Sequence, residues 1–502
     1  MGSALSLGRF RIVWIGGYIV NSRLMKVLAV SILAILPATK SHAVDGNPSL
    51  KFVPSELICA MEQGYNIDSL CARYGVTYLE SLGTGYGSYF CYLLSIQPDM
   101  SVDSLANIIA AAPGVIDCTP NYVMQAPEPV QRSQPFLDVG GPGDVQAQHA
   151  LSQLHLWGAH QKSTGLGIKV AVIDVGVDAS HPMLSGFVLP GIDYVDDDLD
   201  ATDEPGGPAS GHGTLIAGII HMVAPDAQIV PYRVIDTLGN GSGFDVALAI
   251  LAAIEVGCRI INISLVMEAT NPAMRYVAQA ARSQGVVIVA AAGNDESNVP
   301  LYPAADPNCL GVAALDASDV KCSFSNWGAH IDLSAPGEDI KGPFLNDQFA
   351  RWSGTSFAAP FVAGTGALLL ARIPMATWND VVNVMTGTAK KIDQLNPTFA
   401  GSLGAGKIDP LAAINRWAPT AGDVDASGLI SSADILMLVA YVFKGGPEPS
   451  DINDGDIDGS CEINAADVIY LVQYVFDSGP LPLKGCVVVS GRLSSHSKRS
   501  RI

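Results

Sequence analysis

The sequence predicts an α/β fold: a parallel sheet flanked by helices, with a smaller α+β unit before it and a small all-α unit after it. Three observations lead there. Across residues 150–418, short and almost uninterrupted apolar runs alternate with helical stretches, which suits strands buried on both faces. Residues 44–126 read in the order β-α-β-β-α-β, a split βαβ pattern. Residues 422–449 repeat at 455–482 with an offset of 33. At 502 residues the chain has room for about three domains. Hydrophobic residues make up 49% and charged ones 15%, which argues against a disordered chain. The net charge of −20 argues against nucleic acid as a partner.

The chain opens with two apolar runs within residues 1–43, neither long enough to span a bilayer. Met25-Lys26, the apolar stretch Val27 to Leu36 and the small residues flanking His42 in Ser41-His42-Ala43 together read as a secretory signal. Met25 is then the expected true start, and a noncleaved anchor is the alternative. The expected location is secreted, extracellular or held at a cell surface through a docking partner. The nine cysteines are an odd number, so at least one is free or pairs with another chain, and none forms a CxxC zinc pattern. Cys461 and Cys486 stand apart from the others and can pair with each other.

Strand-like runs Glu56–Cys59, Val76–Leu79 and Tyr89–Ile96 and helical runs Asp68–Tyr74 and Val102–Ala111 build the first unit. A linker rich in Pro, Gly and Gln fills 127–149. In residues 150–418, Val170–Asp174, Ile229–Val234, Ile260–Ser264 and Val286–Ala291 read as buried strands. Asp174 closes the first before a Gly turn, where α/β sheets place function. Gly211-His212-Gly213-Thr214 sets an imidazole at a helix start. Gly354-Thr355-Ser356-Phe357-Ala358-Ala359-Pro360 opens another helix with a serine. Ala292-Gly293-Asn294 ends a buried strand with an amide.

A serine is unreactive at its own pKa; an imidazole can take its proton, and a buried carboxylate can fix that imidazole. An amide can donate to an oxyanion as it forms. Asp, His, Asn and Ser in this order resemble the subtilisin-like serine peptidases over residues 150–418. The resemblance implies a subtilisin-like fold with Asp174 as orienting carboxylate, His212 as general acid/base, Ser356 as nucleophile and Asn294 as oxyanion donor. It also implies substrate contacts from Gly241, Ser242, Gly243, Ser264, Leu265, Val266 and Gly293, the first three offering backbone to an extended peptide. The sequence departs from the family at Leu215, Phe357 and Phe361, none of which moves a proton. Val266 stands where the family has glycine. A branched side chain there is expected to narrow the primary pocket against large aromatic residues.

His181 and His221 read as surface or packing histidines. Asp193, Asp196, Asp197, Asp198, Asp200, Asp203 and Glu204 form an acidic loop, read as a solvated loop or, alternatively, a calcium site near Asp196–Asp203. Residues 44–126, through Pro113-Gly114-Val115 and Pro120-Asn121-Tyr122-Val123, resemble the ferredoxin-like propeptides of the same peptidases. The alternative is an ordinary interaction domain.

In the C-terminal repeat, Asp423, Asp425, Ser427 and Asp434 match Asp456, Asp458, Ser460 and Asp467. These oxygens stand at positions 1, 3, 5 and 12 of a calcium-binding loop, and the Leu429 and Glu462 carbonyls fall at position 7. Residues 421–486 carry a net charge of −9, so the loops repel themselves without cations. Two such loop-helix units resemble a dockerin, which implies Ca2+ and a cohesin-bearing partner. Gly428 suits the tight turn at position 6; Cys461 replaces glycine in the second loop. Leu438, Val439 and Tyr441, with Leu471, Val472 and Tyr474, are core or interface. No organic cofactor is expected. The resulting expectation is a secreted serine endopeptidase acting on protein or peptide substrates, with its own propeptide as a partner and a docking module behind it. A catalytically silent peptide-binding scaffold is the rival, and a peptidase held latent by its bound propeptide is a third reading.

Overall fold

The computed structural model describes residues 52–486 apart from 83–86, 88, 99, 132, 139–140, 375, 417–420, 426–429, 450, 478, 481 and 484, together with 13–15 and 18–20. The signal-peptide reading lies outside the described residues, as do residues 487–502, which read from the sequence as a Ser-rich, basic tail. Two units separate, Met1–Ser41 and His42–Ile502. The first contributes an antiparallel pair, β1 (Val13–Ile15) and β2 (Tyr18–Val20). Everything below concerns the second. No described helix is long and apolar enough to cross a membrane.

The predicted β-α-β-β-α-β unit is present as β3 (Phe52–Glu62), α1 (Ile67–Tyr74), β4 (Thr77–Leu82), β5 (Tyr89–Ser95), α2 (Val102–Ala110) and β6 (Val115–Gln125). Asn66 and Ser101 cap the two helices by accepting backbone N–H bonds, and Gly75 closes α1 in the left-handed conformation. Strand β3 divides its side chains by the period of two. Leu57, Cys59 and Met61 pack against α1 and α2, while Ile58 and Ala60 face the larger domain. A disulfide joins Cys59 to Cys118 across the β3–β6 register.

Residues 127–149 form more than a linker. They contain α3 (Pro127–Val130), β7 (Phe136–Asp138) and α4 (Pro142–Gln146), and β7 joins a three-stranded sheet whose other strands come from residues 340–352. The reason lies in partners far along the chain, such as the Arg351 guanidinium on Asp138 at 2.8 Å.

After α5 (His149–Gln153) and α6 (Leu156–His160) come β8 (Lys169–Asp174), β9 (Ile192–Asp193), α7 (His212–Val223), β10 (Gln228–Arg233), β11 (Asn240–Ser242), α8 (Gly243–Glu255), β12 (Ile260–Ile263), α9 (Pro272–Ser283), β13 (Val287–Ala291), β14 (Cys309–Leu315), β15 (Leu333–Pro336), β16 (Ile340–Phe344), β17 (Gln348–Trp352), α10 (Thr355–Arg372), α11 (Trp378–Thr388) and α12 (Pro410–Arg416). Seven strands pair in parallel in the order β15-β14-β13-β12-β8-β10-β9. Alternate residues of β8 explain the two-layer core. Val170 and Val172 pack with Ile216 and Val362 of α7 and α10, while Ala171 and Ile173 pack with Phe244 and Val277 of α8 and α9. Helices on both faces are the required cover for a parallel sheet.

The C-terminal unit is α13 (Ser432–Lys444), the short α14 (Ile452–Gly455) and α15 (Ala465–Asp477), joined through the buried Leu438 and Leu471. Val439 and Val472 pack on this core. A second disulfide links Cys461 and Cys486, the pairing the sequence allows.

Candidate active site and calcium loops

The site forms at the carboxyl ends of the central strands, where the sheet order places β8 between β10 and β12. Asp174 is the last residue of β8 and His212 the first of α7. His212 Nδ1 lies 2.8 Å from Asp174 Oδ1, and both side chains are fully buried. Asp174 Oδ1 also accepts the Val175 N–H at 2.8 Å. The approach depends on Gly213, where a Cβ would stand 2.1 Å from the Gly176 carbonyl oxygen and 3.2 Å from Asp174 Oδ1. The rings of Trp352 and Phe357 meet the imidazole edge-on, at 5.6 and 5.4 Å between centroids.

Ser356 sits in the first turn of α10 and is fully buried. Its Oγ lies 3.1 Å from the Ser264 carbonyl, while Ser264 Oγ donates to the Ser356 carbonyl at 2.8 Å. The Asn294 side chain is oriented by Thr355, whose N–H and Oγ–H both donate to Asn294 Oδ1 at 2.9 Å. The Gly293 N–H in turn donates to Thr355 Oγ1. The Asn294 amide nitrogen is therefore aimed toward Ser356's side of the site. Asp174, His212, Ser356 and Asn294, 182 positions apart from first to last, come together here.

A residue that sequence reasoning passed over lies among them. Glu128 of α3 is fully buried. Its Oε2 is 3.1 Å from His212 Nε2 and accepts the Ser356 Oγ–H at 2.9 Å, and its Oε1 accepts the Asn294 amide at 2.9 Å. Gly354 makes room: a Cβ there would stand 1.8 Å from Glu128 Oε1. The one sequence signal was an acid bracketed by prolines, Pro127-Glu128-Pro129, just after a strand. Burial disfavours a charged imidazole, but Asp174 and then Glu128 outweigh it and raise the His212 pKa to about 10.

The predicted substrate edge is occupied by the chain itself. Asn240, Gly241 and Ser242 of β11 pair antiparallel with Gln125, Met124 and Val123 of β6. Val266 and Gln125 exchange both backbone hydrogen bonds, at 2.8 and 2.9 Å, and the Ala126 N–H donates to the Gly239 carbonyl. The Gln125 amide donates to Asn240 Oδ1 at 2.8 Å. Gly243 starts α8, and buried Asn121 accepts the next N–H, that of Phe244, while donating to Glu56 and Ser242. Leu265 is a fully buried core residue rather than a surface facing the strand.

The acidic loop has a counterion of its own. Three of its seven acids meet on Arg233: Asp193, Asp196 and Glu204 bond the guanidinium at 2.5, 2.5 and 2.7 Å. Asp203 instead caps the His212 helix, accepting the Gly211 and Thr214 N–H groups and the Thr214 hydroxyl. Burial raises the Asp203 pKa to about 7, against those hydrogen bonds. Asp198 and Asp200 bond within their own turn. His181 is a packing histidine, fully buried with its ring bonded to the Gln348 carbonyl.

Among the described residues, Asp423, Asp425 and Asp434 gather within metal-ligating reach of one another, as do Asp456, Asp458 and Asp467. Ser427 and Leu429 lie outside the described residues. The second loop fits a hard cation on one further observation: Asp456 is fully buried, and its Oδ1 has no partner. Asp456 Oδ2 accepts the N–H groups of Cys461 and Cys486, both at 2.9 Å. The Ser460 hydroxyl donates to the Glu462 carbonyl at 3.2 Å, so positions 5 and 7 are neighbours.

The chain is similar to known proteins over two of its parts. The subtilase family matches residues 165–406 and the dockerin type I domain residues 421–476. Thermitase of Thermoactinomyces vulgaris is 37% identical over 262 residues, covering 50% of this chain and 88% of thermitase. The chain belongs to the subtilase family. The thermophilic serine proteinase of Bacillus sp. strain AK1 is also 37% identical to this subtilase, over 46% of the chain and 57% of that protein. Subtilisin E of Bacillus subtilis strain 168 is 35% identical over 46% of the chain and 62% of its own length. This subtilase thus spans less than two thirds of the last two. Fervidolysin from Fervidobacterium pennivorans, a keratinolytic enzyme related to subtilisin, shares the fold, with a TM-score of 0.59 over 77% of this chain and 65% of its own at 24% identity. The C-terminal part is a dockerin type I domain, a class that binds Ca2+.

Proposed function

We propose that this subtilase is a secreted serine endopeptidase, made with an N-terminal propeptide and carried to its site of action by its dockerin. One observation carries the reading: a single buried oxygen-bearing group is touched at once by Ser356, His212 and Asn294, with Asp174 behind the imidazole. That is the set of contacts an acyl-transfer centre needs. His212 accepts the Ser356 proton as the oxygen attacks the scissile carbonyl. Asp174 holds Nδ1–H and so leaves Nε2 to act. The carbonyl oxygen, now an oxyanion, receives the Asn294 amide. His212 then returns the proton to the leaving amine, and water repeats the sequence to release the acid. A silent scaffold has no use for a serine and an imidazole converging on one oxygen.

Residues 44–126 act as the propeptide. In support, β6 runs directly into the substrate edge, and buried Asn121 fastens it to the start of α8. In the dockerin, Asp423, Asp425 and Asp434, and Asp456, Asp458, Ser460 and Asp467, with the Glu462 carbonyl, hold Ca2+, which supplies the charge balance the acidic loops lack. The helices present a repeated apolar surface: Leu436 and Phe443 of α13 are exposed, and so are their equivalents 33 positions on, Ile469 and Phe476. That symmetry supports a cohesin-bearing protein as partner.

The chain freed of its propeptide, incubated with calcium and a denatured protein beside a Ser356→Ala variant treated in the same way, tests the reading. Cleavage by the first alone is expected. No cleavage after removal of the propeptide would move the assignment to a binding scaffold.

A further inference from the structure

Resting on that reading, we infer that Glu128 is an anionic plug of the catalytic centre, a side chain that keeps the uncleaved chain from reacting with substrate. A propeptide strand lying in a cleft blocks access only. Glu128 disables each of the reacting groups, and three separate contacts say so. Its Oε1 takes the Asn294 amide at 2.9 Å, so the oxyanion donor is already spent on an anion. Its Oε2 takes the Ser356 hydroxyl proton at 2.9 Å, so that proton points to a carboxylate and not to the imidazole. The same Oε2 lies 3.1 Å from His212 Nε2. Both ring nitrogens thus face carboxylates, which only accept when ionised, so the ring carries a proton on each and has no lone pair with which to act as base.

The site is built to hold this group. Glu128, His212, Ser356 and Thr355 are all fully buried, and the carboxylate lies against Gly354, where any side chain would displace it. Proline on each side of Glu128 restricts the backbone of α3, whose register therefore delivers the side chain at little entropic cost. Upstream, the strand pairing of Gln125 with Val266 anchors the approach. A second negative charge facing His212 is stable here only because the imidazole is charged and three donors converge on it.

The experiment uses the full chain and follows a fluorophosphonate probe, which labels only an activated serine. Labelling is read on the uncleaved band of a gel, for wild type, Glu128→Gln, Glu128→Asp and, as the blank, Ser356→Ala. Glu128→Gln keeps the shape and removes the charge. It is expected to label at least tenfold faster than wild type before any cleavage. Glu128→Asp, one methylene short of all three partners, is expected to fall between, and it decides the matter if the Gln variant is not secreted. Equal labelling of the uncleaved wild type and these variants would overturn the plug. Failure of the peptidase reading looks different: no labelling of any form, including wild type from which the propeptide has been removed.

Discussion

In the second calcium loop, a disulfide replaces a glycine, and its removal has a magnitude that can be worked out. Cys461 sits at position 6 with φ of 69°, a left-handed conformation that costs an L-residue roughly 1–2 kcal/mol. Its N–H and that of Cys486 both grip Asp456 Oδ2, which leaves the buried Oδ1 free to face a cation. The bridge spans 25 positions, for which the chain-entropy relation gives about 3.5 kcal/mol. If that constraint is lost from a loop that must order itself to bind, affinity falls by up to about 300-fold. The perturbation is Cys461→Ala with Cys486→Ala, in the full chain carrying Ser356→Ala so that it stays intact. Calorimetric titration with calcium reads both sites. The first loop, with Gly428 in place, should keep its affinity, while the second weakens tens- to hundreds-fold. Cys461→Gly with Cys486→Ala removes the left-handed cost and should recover about fivefold, the equivalent of ~1 kcal/mol. Two unchanged sites in the Ala variant would refute the reasoning, because the disulfide would then contribute nothing to the loop.

Three further outcomes are expected. Arg233→Met strands Asp193, which is 2% exposed, and should destabilise the catalytic domain by about 3–5 kcal/mol in thermal or denaturant unfolding; Asp196 and Glu204, half exposed, contribute little of this. A loss under 1 kcal/mol would show that the guanidinium is not organising the loop. The plugged state should weaken with alkali. His212, facing Asp174 and Glu128, has a raised pKa, so its contribution is complete below about 6.5 and lost as pH rises to about 10. Probe labelling of the uncleaved chain should climb across that window. Asp203, titrating near 7, and the His212–Asp174 pair are common to wild type and Glu128→Gln, so the displacement of the rise to higher pH in wild type belongs to the plug. Finally, Val266→Gly should raise kcat/KM for Phe over Ala at the cleaved position by about tenfold in a peptide library, given 1–3 kcal/mol per misfitted group. Equal cleavage after Phe and Ala by the unaltered enzyme would sink the narrow-pocket expectation.

What could be read from the sequence was whatever repeats a local rule. Strands β8, β10, β12 and β13 are short apolar runs, found within a residue of their ends. Asp174 ends β8, His212 opens α7, Ser356 lies in the first turn of α10 and Asn294 follows β13 by three residues, so local pattern and a family resemblance pointed to positions that the structure brings together. The partner of the acidic loop was not legible because a cluster of like charges carries no record of its counterion. Arg233 reaches Asp193 only because β9 and β10 are neighbours in the sheet, 40 positions apart in the chain. Asp203 was counted with that loop, yet it serves the helix that carries His212. The Cys59–Cys118 bridge needed the β3–β6 register, which composition does not contain.

Glu128 was hidden for a more general reason. A plug needs no motif, since the catalytic centre supplies all of the recognition and the plug supplies two oxygens. The same complementarity that favours an oxyanion in the transition state favours a carboxylate at rest, so any carboxylate delivered there is retained. Every product of peptide hydrolysis ends in such a group, but a free product must reach the site at its own concentration. Glu128 is tethered by β6 and α3, and a short tether amounts to roughly millimolar effective concentration. Cutting the chain beyond Glu128 leaves the carboxylate on the propeptide, still held by the β6–β11 pairing. Release therefore requires the loss of the whole strand and not only of a peptide bond. In this chain, cleavage of residues 131–149 and the onset of activity should be separate events in time.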